Sequence, residues 1–171
     1  MGTVAHRLLA QIARDGMEAW DAARLAREQG RIRADLALSG VAASERDAAA
    51  RRVSDAVART LADPRGRWLF AAEHADAMSE WSLAGVDAGE IAHIALDRTF
   101  VSEGVRWIVD FKTGAHEGAD AAAFLDREVE RYRPQLERYA RIVRGLDARP
   151  IRLALYYPLV ENGFRAFDFD G

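Results

Sequence analysis

Apolar residues recur at helical spacing through the first third of the chain. Leu8, Leu9 and Ile12, then Val53, Val57 and Leu61, stand on a background of Ala, Arg, Leu and Glu with few β-branched or aromatic residues. Gly16, Gly30 and Ser39-Gly40 punctuate this stretch, so three or four helices are expected before Asp63-Pro64-Arg65-Gly66, which reads as a turn. From Trp68 the texture changes to short bulky and β-branched runs. Glu80 to Leu83, Ile91 to Phe100 and Val105 to Phe111 predict three strands, the last two joined through Val101-Ser102-Glu103-Gly104 as a hairpin with glycine at the tight position. A polar loop after Gly114 leads into a helix from Phe124 to about Leu146, in which Pro134 either opens a new helix or kinks one. Ile151 to Val160 predicts a strand buried on at least one face, and Phe164 to Phe169 an edge strand.

The order of helices, three strands, helix, strand, strand predicts an α/β fold: a mixed central sheet flanked by helices, with an N-terminal helical region. With 171 residues and 50% hydrophobic composition, one core and a single domain over 1–171 are expected, about 1–62 mainly helical and about 68–171 carrying the sheet and its helix.

Composition narrows the chemistry. There is no cysteine, which excludes disulfides, thiolate zinc sites, iron–sulfur clusters and cysteine nucleophiles. A metal would have to sit on His, Asp, Glu or carbonyl oxygen. No apolar run reaches the ~18 residues of a membrane span and no secretory layout opens the chain, so a soluble, cytoplasmic domain without membrane contact is expected. The formal net charge of −3 provides no global basic field. Locally the balance varies: residues 61–120 hold 11 acids against 5 Lys/Arg, whereas residues 121–152 hold 5 acids against 8 arginines. Of 24 basic residues, 23 are arginine and only Lys112 is lysine. An ammonium is a compact, tunable charge that guanidinium does not replace, so a lone lysine points to a function.

That lysine ends the run Val105-Arg106-Trp107-Ile108-Val109-Asp110-Phe111-Lys112. Strand alternation puts Asp110 and Lys112 on one face and Val109 and Phe111 on the other. Asp97 closes the apolar part of the preceding strand, where cross-strand pairing brings it near Asp110; its rival role is a pairing with Arg98. Two carboxylates that close call for a cation, and Mg²⁺ suits them because it accepts carboxylates plus waters and leaves room for phosphate.

Asp97, Asp110 and Lys112 in this pattern resemble the metal site of the PD-(D/E)xK nuclease superfamily. Gly2-Thr3-Val4-Ala5-His6 is similar to the G-T-x-x-H element of its RecB-type branch, and Gln135 and Tyr139, preceded by Tyr132, to that branch's Q-x-x-x-Y element. The wording around Asp97, Asp110 and Gln135 resembles the C-terminal nuclease domain of RecB/AddA-type helicase–nucleases, and the likeness covers nearly the whole chain. It implies a restriction-endonuclease-like fold and Mg²⁺-dependent phosphodiester hydrolysis in DNA, with Mn²⁺ able to substitute. It implies metal ligands His6, Asp97, Asp110 and the Phe111 backbone carbonyl, a catalytic Lys112, and Gln135 and Tyr139 contacting DNA or the neighbouring site. Partners would be DNA and a helicase motor in the same or another polypeptide. No G-x-x-x-x-G-K-[ST] loop occurs, so no ATP site is expected in this chain. The rival reading is a silent nuclease-fold module that binds DNA or acts as a scaffold.

Other residues carry weaker expectations. Glu80 is a candidate peripheral active-site carboxylate, and His93 either lines the site or fills a core edge. His74 and His116 read as surface or loop residues, and Trp68, Trp81 and Trp107 as packing residues. Arg127, Arg131, Arg138 and Arg141 either track phosphates or form a solvated stripe paired with Glu130 and Glu137.

Overall fold

The computed structural model describes residues 2–116, 118 and 120–171. Its N-terminal part comprises α1 (Gly2–Asp15), a 3₁₀ turn (Met17–Ala19), α2 (Ala22–Arg27), α3 (Gln29–Leu38), α4 (Arg46–Ala62) and α5 (Pro64–Leu69). Aspartates set two of the starts. Asp21 caps α2 by accepting from the Arg24 N–H at 2.6 Å, and Asp63 caps α5 by accepting from the Arg65 N–H at 3.0 Å. Pro64 fills the first helical position of α5, where a missing N–H costs nothing. The segment expected as a turn therefore opens a fifth helix.

The sheet follows as β1 (Ala75–Asp87), β2 (Glu90–Ser102), β3 (Val105–Phe111), then α6 (Ala121–Arg144), β4 (Ile151–Tyr156) and β5 (Phe164–Asp168). Strand order is β1-β2-β3-β4-β5; β3 and β4 are parallel and the other neighbours antiparallel. A parallel pair needs a crossover, which α6 supplies. Pro134 lies inside α6, which continues through it as one helix. β4 ends earlier than its apolar run, because Pro158 follows and the Tyr157 N–H turns to the Gly163 carbonyl at 2.7 Å.

The chain is thus an α/β fold whose five-stranded mixed sheet is flanked by helices, with a core on each side. One joins Leu8, Leu9, Ile12, Val53 and Val57 to Phe100, Trp107, Val109 and Phe111 of the sheet. The other joins Leu125, Leu136, Ala140 and Val143 of α6 to Ile94, Leu96, Ile108, Leu153 and Leu155. Each large apolar side chain so buried contributes about 1.5–3 kcal/mol. His74, expected at the surface or in a loop, lies in the loop before β1 but is buried there: its ring stacks on Phe100 at 4.1 Å and its Nε2 lies 2.6 Å from the Trp68 carbonyl oxygen. Burial holds its pKa below the usual histidine range, which suits a neutral packing residue. No helix among the described residues is long and apolar enough to cross a membrane.

Two positions show how closely the elements approach. Leu96 packs on the α6 side, yet Phe100, of the same strand parity, packs on the other; the β1–β2 hairpin thus changes face between them, at the level of Asp97. Gly66 is the second. A Cβ there would stand 2.1 Å from the Thr60 carbonyl oxygen and 3.0 Å from the Tyr156 hydroxyl. Gly66→Ala is expected to cost about 2–3 kcal/mol, lowering Tm by roughly 4–12 °C by circular dichroism. An unchanged Tm would mean that α5 does not rest on the end of α4 this closely.

Candidate functional site

Two tight turns align three carboxylates across the sheet. Ala88 and Gly89 have φ of 51° and 86°, and Glu103 and Gly104 φ of 52° and 76°. Positive φ at both central residues marks two-residue hairpin turns, whose twist matches the strands and whose length fixes register. Asp87 consequently faces Glu90, Ser79 faces Arg98 and Trp81 faces Leu96, which sets Glu80 opposite Asp97. Across the second turn Ser102 faces Val105 and Arg98 faces Val109, so the next step sets Asp97 opposite Asp110. Glu80, Asp97 and Asp110 therefore form a row over β1, β2 and β3, at the level where the β1–β2 hairpin changes face. Glu80 itself has φ of 51°, an unusual backbone for a residue within a strand.

The α1 helix closes one side of this row. His6 Nδ1 lies 3.1 Å from Asp97 Oδ1, while Asp97 Oδ2 accepts from the Phe111 N–H at 2.7 Å. One ligand atom each from His6, Glu80 and Asp97 lie within 4.8 Å of one another. Phe111, whose carbonyl is the expected ligand, also contributes its N–H, which steadies Asp97. Arg98 does not pair with Asp97: its guanidinium is buried on the Leu69 carbonyl and Ser79 Oγ, and burial lowers its pKa to about 10.

The α6 helix closes the other side. Asp110 is only 6% exposed. Its Oδ1 accepts from Gln135 Nε2 at 3.3 Å, and Gln135 also donates to the Tyr139 hydroxyl at 2.7 Å. Lys112 Nζ is 2.8 Å from Asp110 Oδ2, so the ammonium is the close partner of this buried oxygen. Asp110 lies outside the compact His6/Glu80/Asp97 cluster, and its carboxylate meets Gln135 and Lys112. Glu80 thus joins His6 and Asp97 in the compact cluster, with Asp110 beside it and close enough to raise the His6 pKa.

The electrostatics record the crowding. Burial, then the Asp97 charge, pushes Asp110 up to about 6 against the opposing pull of Lys112. Burial and Asp97 likewise raise Glu80. Burial alone would lower His6, but its hydrogen bond to Asp97 and the charges of Asp97, Asp110 and Glu80 outweigh this and raise it. A cation is what the group lacks. Three carboxylates and one imidazole are a donor set that fits a hard divalent ion, whose binding would displace the His6 proton.

The remaining candidates lie elsewhere. His93 is exposed, opposite Ala84 on the hairpin arm. His116 stacks on Phe124 at 4.6 Å. Arg138 and Arg141 are held by Asp87 at 3.2 and 2.7 Å, and Arg131 and Arg133 pair within α6 with Glu128, Glu130 and Glu137. A scan against protein-family models finds no matching family, and a search of curated proteins finds no match.

Proposed function

We propose that this chain is a divalent-metal-dependent DNA nuclease domain with a restriction-endonuclease-like PD-(D/E)xK fold of the RecB/AddA type, acting with a helicase motor in the same or a partner polypeptide. One observation carries the reading. His6 from α1, Glu80, Asp97 and Asp110 from three adjacent strands, and the chain's single lysine converge beside Gln135 and Tyr139 of α6. A packing role does not account for that set, because crowded carboxylates oppose folding unless something positive joins them.

His6, Glu80, Asp97 and Asp110 would hold Mg²⁺ or Mn²⁺. A bound Mg²⁺ neutralises a phosphodiester and lowers the pKa of a coordinated water. Lys112 presents its amine at the row's edge, suited to orienting or deprotonating the attacking water or stabilising charge that develops on phosphorus. Gln135 fixes one oxygen of Asp110 and so directs the other toward Lys112. The Phe111 N–H does the same for Asp97, leaving Oδ1 to His6 and the cation.

The test is cleavage of linear single- and double-stranded DNA by the purified chain, titrated with Mg²⁺ and Mn²⁺ and compared with His6→Ala. The wild type is expected to cut, and the variant to need about tenfold or more metal for half-maximal rate, a loss in the range of metal-site substitutions. Tight DNA binding without cutting at any metal concentration would favour the silent module. An unchanged metal midpoint in His6→Ala would return His6 to a packing role.

A further inference from the structure

Lys112 has a second neighbour besides Asp110. Its Nζ lies 3.8 Å from the centroid of the Tyr132 ring, and its side chain is 20% exposed. Lysine carries its charge on a flexible stem with several rotors, so a single productive position must be imposed from outside. Tyr132 lies three residues before Gln135 and seven before Tyr139, on the same face of α6. This face therefore meets each charged group at the end of β3 with one side chain: Gln135 holds Asp110 Oδ1, and the Tyr132 ring covers the ammonium. An aromatic face attracts a cation through its quadrupole, most strongly where water is partly excluded.

We infer that Tyr132 is a positioning residue, whose ring face holds the Lys112 ammonium over the carboxylate row. The inference rests on the hydrolytic reading for its consequence, but the contact itself does not. The ring supplies the hold and the hydroxyl is dispensable. Without the ring, the ammonium still has Asp110 on one side but is free to swing outward on the other, toward solvent. In its polar and ring contacts Tyr132 meets Lys112 and none of His6, Glu80, Asp97 or Asp110, so the expected loss falls on the rate of the chemical step.

Because Lys112 is the only lysine, protein grown with ¹³C-lysine gives one set of side-chain NMR signals. In metal-free protein the Hε protons are expected upfield of the free-lysine position in wild type and Tyr132→Phe, and at that position in Tyr132→Leu and Tyr132→Gln. In cleavage assays Tyr132→Phe should keep kcat within about twofold. The two ring-free variants should lose about tenfold in kcat with KM for DNA within about twofold. Wild-type lysine shifts and kcat in the ring-free variants would overturn the inference, as would a Phe variant as impaired as Leu. If the wild type cuts no DNA, the nuclease reading fails, and the lysine shifts alone decide whether the ring holds the ammonium.

Discussion

Asp110→Asn is expected to reduce DNA cleavage about 10³-fold or more, in a protein that unfolds at a higher temperature than wild type at pH 8 with divalent ions chelated. The first half follows from removing a charged oxygen donor from the proposed metal site. The second follows from the cost of keeping that charge buried. Asp110 is pushed from an ordinary 3.8 up to about 6 in the folded chain, first by burial and then by Asp97. A group whose folded pKa lies above its unfolded one stabilises the fold fully below the lower value, and loses that contribution as pH rises through the upper one. Above pH 6 the wild type has therefore given up roughly 3 kcal/mol that it holds near pH 4. Asparagine has the same shape, retains an oxygen for Gln135 and never ionises. The Lys112 ion pair that asparagine forgoes is already contained in that raised value, so a gain of about 2–3 kcal/mol or roughly 4–12 °C is expected at pH 8, shrinking to little near pH 4. Thermal unfolding of both proteins in chelator from pH 4 to 8 reads this directly. A variant less stable than wild type across the whole range would show that the Lys112 pair outweighs the crowding.

Such a site is partly legible in a sequence, and the limit is physical. The alternation in Val105 to Phe111 assigns Val109 and Phe111 to one core and turns Asp110 and Lys112 to the opposite face, because side-chain period 2 leaves no other option. The turn at Glu103-Gly104 fixes a register that ends at Arg98 opposite Val109 and so leaves Asp97 beside Asp110 and Phe111. Glu80 was open to the same arithmetic: once Ala88-Gly89 is recognised as a two-residue turn, counting back from it sets Glu80 opposite Asp97. Alanine at the first turn position hides that signal, since asparagine, aspartate or glycine usually marks it. The change of face near Asp97 coincides with the positive φ of Glu80, a backbone conformation that glutamate does not announce. Other features depend on contacts far apart in the chain. The burial of His74 depends on Trp68 and Phe100 arriving around it. Asp87 takes up Arg138 and Arg141, 51 and 54 residues away, so helical spacing in α6 could not tell a phosphate track from an ion-paired stripe.

Lys112→Met is expected to separate chemistry from metal holding: cleavage falls about 10²–10³-fold, while Mn²⁺ binds more tightly than to wild type. The unbranched methionine chain keeps its packing under the Tyr132 ring, a contact thioethers make readily, so the fold is little disturbed. What disappears is a positive charge 2.8 Å from Asp110 Oδ2. That ammonium competes with any entering cation for the same oxygen and repels it across the row. Its removal raises the net negative charge around Glu80, Asp97 and Asp110, so isothermal titration with Mn²⁺ should give a Kd lower by about three- to tenfold, or roughly 1 kcal/mol. The lost rate then reflects a charge needed in the transition state and not in assembling the site. Weaker Mn²⁺ binding in the variant would assign Lys112 the opposite role. The ammonium would then serve to hold Asp110 in position for the metal, and the loss of cleavage would follow from loss of the ion.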